Sequence, residues 1–202
     1  MVGKSLGVIT GNTWERDDNG NIIFHELSAS QKALYGGEYV PTYNQNTLDE
    51  LGNFHPDFTG GFNTSISFKN FRLSANIDFS VGGQIVSYTN MWGSSSGILD
   101  KTAELNDRGV NVREPVSKGG GIHMTGVDQD GNKVDTYVNA KLYYTTASRV
   151  WEEWVYDRTY VKLREVSLSY VFPSQTLKKL NIGLSRASVA INASNPWLIY
   201  SA

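Results

Sequence analysis

The chain has 202 residues, 40% hydrophobic and 19% charged, with a formal net charge of −2, so it lacks the basic balance that nucleic-acid binding requires. It has no cysteine, which excludes a disulfide framework and thiolate chemistry. No run of 18 apolar residues occurs, which excludes a transmembrane helix; a barrel strand with one wet face would leave no such run.

The opening stretch MVGKSLGVITG lacks a basic region followed by an apolar core and does not read as a signal peptide. Its short apolar run, residues 6–9, ends at Gly11. Asp17-Asp18-Asn19-Gly20 is a strong turn signal, with a short strand expected at 22–24. These acids lack the spacing of a calcium loop. Residues 27–51 are polar and tyrosine-bearing, with Gly36-Gly37 and Pro41, and read as loop.

Residues 53–83, NFHPDFTGGFNTSISFKNFRLSANIDFSVGG, read as two long alternating strands joined by a tight turn at Lys69-Asn70. In the first, Phe58, Phe62, Ile66 and Phe68 share a face, opposite Asn63, Ser65 and Ser67. In the second, Phe71, Leu73, Ala75, Ile77, Phe79 and Val81 oppose Arg72, Ser74, Asn76, Asp78 and Ser80. An ordinary strand has about 5–6 residues. These runs approach the roughly 9–11 that a tilted strand needs to cross a bilayer. The polar face, carrying Arg72 and Asp78, suits a wet lumen, and the apolar face suits lipid. A soluble sandwich would also bury one face, but seldom needs hairpins this long.

A further strand is expected at 84–88, followed by a long irregular stretch, 89–135. Ser94-Ser95-Ser96-Gly97 precedes an expected helix at 99–108, with Asp100 capping its start and Gly109 its end. Gly119-Gly120-Gly121 and Asp128-Gln129-Asp130-Gly131 mark loop and turn. A connection this long is uncommon and usually functional. A second helical piece at 148–157 would gather Trp151, Trp154, Glu152 and Glu153. A second long hairpin closes the chain. Val166, Leu168, Tyr170 and Phe172 alternate with Ser167, Ser169 and Val171; after a polar link, 173–181, Ala187, Val189, Ile191 and Ala193 alternate with Arg186, Ser188, Asn192 and Ser194. Trp197, Tyr200 and Tyr160 fall at one end of this hairpin and Tyr170 and Phe172 at the other, as interfacial aromatic girdles would. The stretch 89–135 is expected on the Trp197 side, away from Lys69-Asn70.

No catalytic constellation is apparent. His25, His55 and His123 have no metal-ligand spacing and no adjacent nucleophile, and read as loop residues. Glu152 and Glu153 are neighbours that diverge on a helix and cannot flank one glycosidic bond, so a glycoside hydrolase lacks its carboxylates. The candidate lumen-lining residues are Arg72, Asn76, Asp78 and Arg186. Trp92, Trp151 and Trp154 are candidate cargo contacts, able to stack on sugar rings, with loop packing the plainer alternative. The expected lipid-facing set is Phe62, Ile66, Phe68, Leu73, Ile77, Phe79, Val166, Leu168, Tyr170, Val189 and Ile191. The fold class is all-β: antiparallel strands forming part of a transmembrane barrel, with long loops carrying short helices. A soluble β-sandwich that binds carbohydrate is the alternative.

PDFTGGFNTSISFKNFRLSANIDFSVGG (56–83) and YVKLREVSLSYVFP (160–173) resemble C-terminal barrel signatures of SusC/RagA-type TonB-dependent transporters. LKKLNIGLSRASVAINASNPWLIY (177–200) resembles the strand that follows them, and the SLGVITG, DDNGNI and LGNFHPDF elements sit in the family's order. The resemblance covers most of the chain and is weakest in the long loop. It implies an outer-membrane importer of Bacteroidetes, with a plugged barrel of about 22 strands. It implies a SusD-like surface lipoprotein as partner, energy from the TonB complex, oligosaccharide or peptide cargo, and no cofactor, metal or enzymatic activity. The chain shows no TonB box, plug or carboxypeptidase-like extension, and stops at Tyr200-Ser201-Ala202, before the family's last loop and terminal aromatic strand. Residues 1–202 are therefore expected to be a partial barrel, lacking plug and last strand.

Overall fold

A computed structural model describes residues 3–180 and 183–202. In chain order the elements are β1 (Val8–Gly11), β2 (Phe24–Glu26), α1 (Ala29–Tyr35), β3 (Tyr39–Pro41), β4 (Asp49–Asn53), β5 (Phe58–Phe68) and β6 (Phe71–Val81). They continue with β7 (Gln84–Val86), α2 (Tyr88–Ser95), β8 (Ile122–Val127), β9 (Lys133–Val138), α3 (Ala140–Ala147), β10 (Val155–Asp157), β11 (Tyr160–Val171), α4 (Ser174–Leu180) and β12 (Ser188–Ser201). The chain forms two compact units: Met1–Asn53 with Ile85–Tyr156, and Phe54–Gln84 with Asp157–Ala202. Among the described residues no helix is long and apolar enough to cross a membrane.

The second unit is built by period-two alternation. β5 and β6 have 11 residues each, β11 has 12 and β12 has 14. They form one antiparallel sheet in the order β12-β11-β6-β5. The β5–β6 hairpin is in continuous register, Phe58 opposite Val81 and Phe68 opposite Phe71, so every apolar residue of both strands falls on one face. Its tight turn puts Lys69 at a φ of 53°. On β11 the register against β6 slips between Leu163 and Glu165. That bulge inserts Arg164, so Val161 and Leu163 before it share a face with Val166, Leu168 and Tyr170 after it. β12 carries the matching irregularity at Asn195-Pro196, with Leu163 opposite Trp197 and Glu165 opposite Ser194. Proline has no N–H to give a ladder, and a bulge tolerates it. The polar link between β11 and β12 contains helix α4, which starts just after Pro173 and buries Leu177. Its expected last residue, Asn181, lies outside the described residues.

The first unit consists of short ladders, β1 with β4, β2 with β3 and β8 with β9, around three small cores. Trp14, Met91, Ala147, Val150 and Trp154 form one; Phe24, Val134 and Val138 form another; Val112, Ala140 and Tyr144 form the third. Tyr143 packs against all of them.

Several local expectations are corrected here. Residues 27–51 are not loop throughout: Ser28 and Gln31 form a capping box at α1, Gly36 closes it at a φ of 71°, and β3 and β4 follow. The strand expected at 22–24 is β2, shifted to Phe24–Glu26. The one at 84–88 ends at Val86, where Ser87 caps α2. The helix expected at 99–108 is only a 3₁₀ turn, Asp100–Ala103, with no side-chain cap from Asp100. Beyond it the Asn106 side chain accepts the N–H groups of Arg108 and Val110, an Asx turn that competes with the helix. The helical piece at 148–157 lies earlier, as α3 under an Asn139 cap; the Ser148 hydroxyl donates back to the Thr145 carbonyl at its end, and Trp151–Trp154 is a 3₁₀ turn. Within 89–135, Asp128–Gly131 is the turn expected, but it closes a regular hairpin, β8–β9. His25 and His123 therefore sit on strands β2 and β8 rather than in loops.

Candidate functional site

The sheet of the second unit has two chemically distinct faces. Cross-strand rows Phe62–Ile77–Leu163–Trp197 and Ile66–Leu73–Leu168–Ile191 run across the apolar one. Phe62, Ile66, Phe68, Leu73, Leu168, Val189 and Ile191 are all exposed, Ile66 at 66%; Ile77, Phe79, Val166 and Tyr170 are half-buried. None is sealed under a second sheet or a helix, as a soluble sandwich would require. Phe71 and Tyr170 meet ring to ring at 4.7 Å, and Tyr170 meets Phe172 edge-on at 5.1 Å, at the Lys69-Asn70 end of the strands. Val81, Tyr160 and Ser201 mark the other end.

The opposite face is polar and hydrogen-bonded. Arg72 donates through Nη2 to Ser65 Oγ at 3.3 Å. With Asn63, Ser65, Ser74, Asn76 and Glu165 it lines a groove of about 300 Å³. Asp78 accepts from Arg164 Nε at 2.8 Å and from the Tyr160 hydroxyl at 3.1 Å, while Arg164 Nη1 reaches Asn195 Oδ1 at 3.2 Å. Arg72, Asn76 and Asp78 thus share the face expected of them. Arg186 does not join them, because β12 begins two residues later, at Ser188. Arg164, Glu165 and Asn195 were missed, since simple alternation assigns no face to a bulge; the Asn-Pro pair within an apolar run was the signal that pairing breaks there.

The three tryptophans part company in the first unit. Trp92 on α2 is 61% exposed. Trp151 meets Tyr88 edge-on at 5.7 Å and leans on Gly11, where an added Cβ would lie 2.5 Å from its own. Trp154 is a core residue, 1% exposed, with its indole N–H donating to the Ala147 carbonyl at 2.8 Å and Lys101 Nζ 4.0 Å from its ring. It therefore cannot touch cargo. Burial pushes the Lys101 ammonium below its usual range. Glu152 and Glu153 serve Trp14: one accepts its backbone N–H at 2.7 Å, the other its indole N–H at 2.6 Å.

A polar cluster not foreseen from sequence surrounds His123. Its Nδ1 lies 2.9 Å from Asp107 Oδ2 and its Nε2 2.8 Å from Asp135 Oδ1. The His123 ring stacks on the Tyr137 ring at 4.8 Å, and the Arg108 guanidinium sits 3.5 Å from the Tyr137 ring. The Tyr137 hydroxyl reaches both Asp107 oxygens, at 2.7 and 2.8 Å, and holds the Asp107 carboxyl below the usual carboxylate range. These contacts tie the β8–β9 hairpin to the loop at 106–108.

No established family profile matches the chain. It is 29% identical over 195 residues to TonB-dependent receptor P3 of Formosa agariphila, an alignment covering 93% of this chain and 17% of that protein. Its fold matches the RagAB peptide importer in the closed-closed state with a TM-score of 0.56 at 16% identity, over 96% of this chain and 20% of the importer chain. The open-open state matches with a TM-score of 0.52 at 14% identity, over 96% and 19%. The chain thus spans about a fifth of the length of the proteins it matches.

Proposed function

We propose that the chain is a barrel segment of a SusC/RagA-type TonB-dependent receptor of the outer membrane, forming wall and loops of a nutrient importer. In this reading the sheet of the second unit spans the membrane, its apolar face toward lipid and its Arg72–Asn76–Asp78 face toward the lumen. The observation that carries this is the sheet itself: strands of 11 to 14 residues whose large apolar side chains stand exposed opposite a hydrogen-bonded polar face. The cargo is an oligosaccharide or peptide, the partner a SusD-like surface lipoprotein, and the energy source the TonB complex; the likeness to a receptor and to a peptide importer supports these assignments.

Site-directed labelling tests the reading. These 202 residues contribute no native cysteine, and any cysteine elsewhere in the receptor is first replaced by serine. Single substitutions Ile66→Cys, Leu168→Cys, Ser65→Cys and Ser167→Cys are placed in the receptor in outer membranes and treated with a water-soluble maleimide. Ser65→Cys and Ser167→Cys should label, whereas Ile66→Cys and Leu168→Cys should label only after detergent extraction. Equal labelling of both faces in the membrane would sink the proposal.

A further inference from the structure

A cavity of about 450 Å³ in the first unit combines features that the barrel wall does not explain. Leu34, Tyr35, Ser94, Thr102, Arg113 and Lys141 are among its lining residues, and among the described residues no carboxylate lines it. Neither Arg113 nor Lys141 has a carboxylate partner among the described residues, in a chain whose net charge is negative. Arg113 is held in place: Nε donates to the Thr102 carbonyl at 2.8 Å, and Nη2 donates to Thr102 Oγ1 at 2.6 Å and to the Gly97 carbonyl. Those bonds leave Nη1 for another acceptor.

Lys141 is the second residue of α3, whose first turn contains no acid. The positive end of a helix disfavours a cation and attracts an anion. Ser94 is 1% exposed, lines the cavity, and has a hydroxyl without a hydrogen-bond partner. A buried polar atom left unpaired is rare and asks for an explanation. An anionic group in the cavity answers all three features: it neutralises Lys141, accepts from Arg113, and takes the Ser94 hydroxyl as donor. Leu34, 74% exposed, supplies apolar lining for the rest of the ligand.

We propose that this cavity binds the carboxylate of a small ligand, held by Arg113, Lys141 and Ser94. A uronic acid sugar and a peptide C-terminus both present that group. As a cargo subsite the cavity rests on the import reading above; as a carboxylate site it stands on its own residues. The test is calorimetric titration of the full-length receptor carrying this chain, purified in detergent. Sodium glucuronate is compared with glucose, and N-acetyl-dialanine with its C-terminal amide, so the two sources are read separately.

At least one carboxylate should bind about tenfold more tightly than its neutral counterpart, as expected for one charge-assisted contact. Lys141→Met should weaken that binding about tenfold and Lys141→Glu further. Ser94→Ala should weaken it while leaving the melting temperature unchanged or raised, because the orphan hydroxyl contributes nothing to the fold without ligand. A carboxylate preference absent from both pairs, or surviving intact in Lys141→Met and Ser94→Ala, overturns the proposal. A receptor that binds the carboxylate here but fails to import in cells leaves the site standing and sinks the import reading; one that imports without the preference sinks the site alone.

Discussion

Asp107 shows what one hydrogen-bonded carboxylate does for a hairpin. It takes the Tyr137 hydroxyl on both oxygens and faces His123 Nδ1, joining the loop at 106–108 to strands β8 and β9. Because the native carboxyl titrates below its unfolded value of about 3.9, its contribution is fully present above that pH and is lost as pH falls through the lower native value. Hydrogen-exchange protection of residues 122–138 should therefore hold from pH 7 to 5 and decline below about pH 4. Asp107→Asn should reduce that acid dependence, leaving the part due to Asp128, whose carboxyl is held low by Asn132 in the β8–β9 turn, and identical profiles for the two proteins would refute the tether. Such residue-scale detail was largely closed to the sequence. His123 and Asp135 meet only through pairing across β8–β9, with Asp107 reaching them from the loop at 106–108, and most of that hairpin lay inside a stretch read as irregular. The burial of Trp154 was equally hidden, since an aromatic side chain in a non-periodic segment gives no sign of which way it faces.

At the scale of elements, legibility follows periodicity. β5, β6, β11 and β12 announce themselves because a strand needing one wet and one greasy face repeats every two residues over its whole length. α1, α2 and α3 are seven or eight residues long; α1 is fixed by its caps, and α2 and α3 by caps and the small cores, so no helical period develops. Ser28 and Gln31, followed by Gly36, were a readable capping box that polar composition masked. The bulge on β11 gives the sharpest element-level test. Arg164 is the extra residue, so deleting it leaves Val161, Leu163, Val166 and Leu168 on one face in unbroken alternation. Deleting Ser167 instead turns half of the strand over. On the import reading, the Arg164 deletion should still place receptor in the outer membrane at near-normal levels, losing only the side-chain bonds to Asp78 and Asn195, whereas the Ser167 deletion should reduce assembled receptor severalfold. Heat-modifiable mobility in gels separates folded from unfolded barrel; equal loss in both deletions would show that the bulge itself is required.

At the scale of the molecule, the four-stranded sheet cannot be its own container. Its order, β12-β11-β6-β5, leaves the outer edges of β5 and β12 without a strand partner among the described residues. On the proposed reading, a plugged outer-membrane transporter barrel closes on about 22 strands, so four supply a fraction of the wall. In lipid, each unpaired backbone group along those edges costs several kcal/mol. In water the same edges template pairing with other chains, and the exposed row of Phe62, Ile66, Phe68, Val189 and Ile191 adds an apolar surface of the kind that drives association. These 202 residues expressed alone in detergent-free buffer should therefore give no stable monomer, sedimenting as oligomers or aggregate. In detergent they should unfold over a broad range rather than in one cooperative step. The small cores of the first unit do not alter this expectation, because the two free edges belong to the sheet. Analytical ultracentrifugation with thermal unfolding followed by circular dichroism checks it. A monodisperse monomer with a reversible, two-state transition in plain buffer would mean that the apolar face had found cover within the chain, and the sheet would then be no part of a membrane wall.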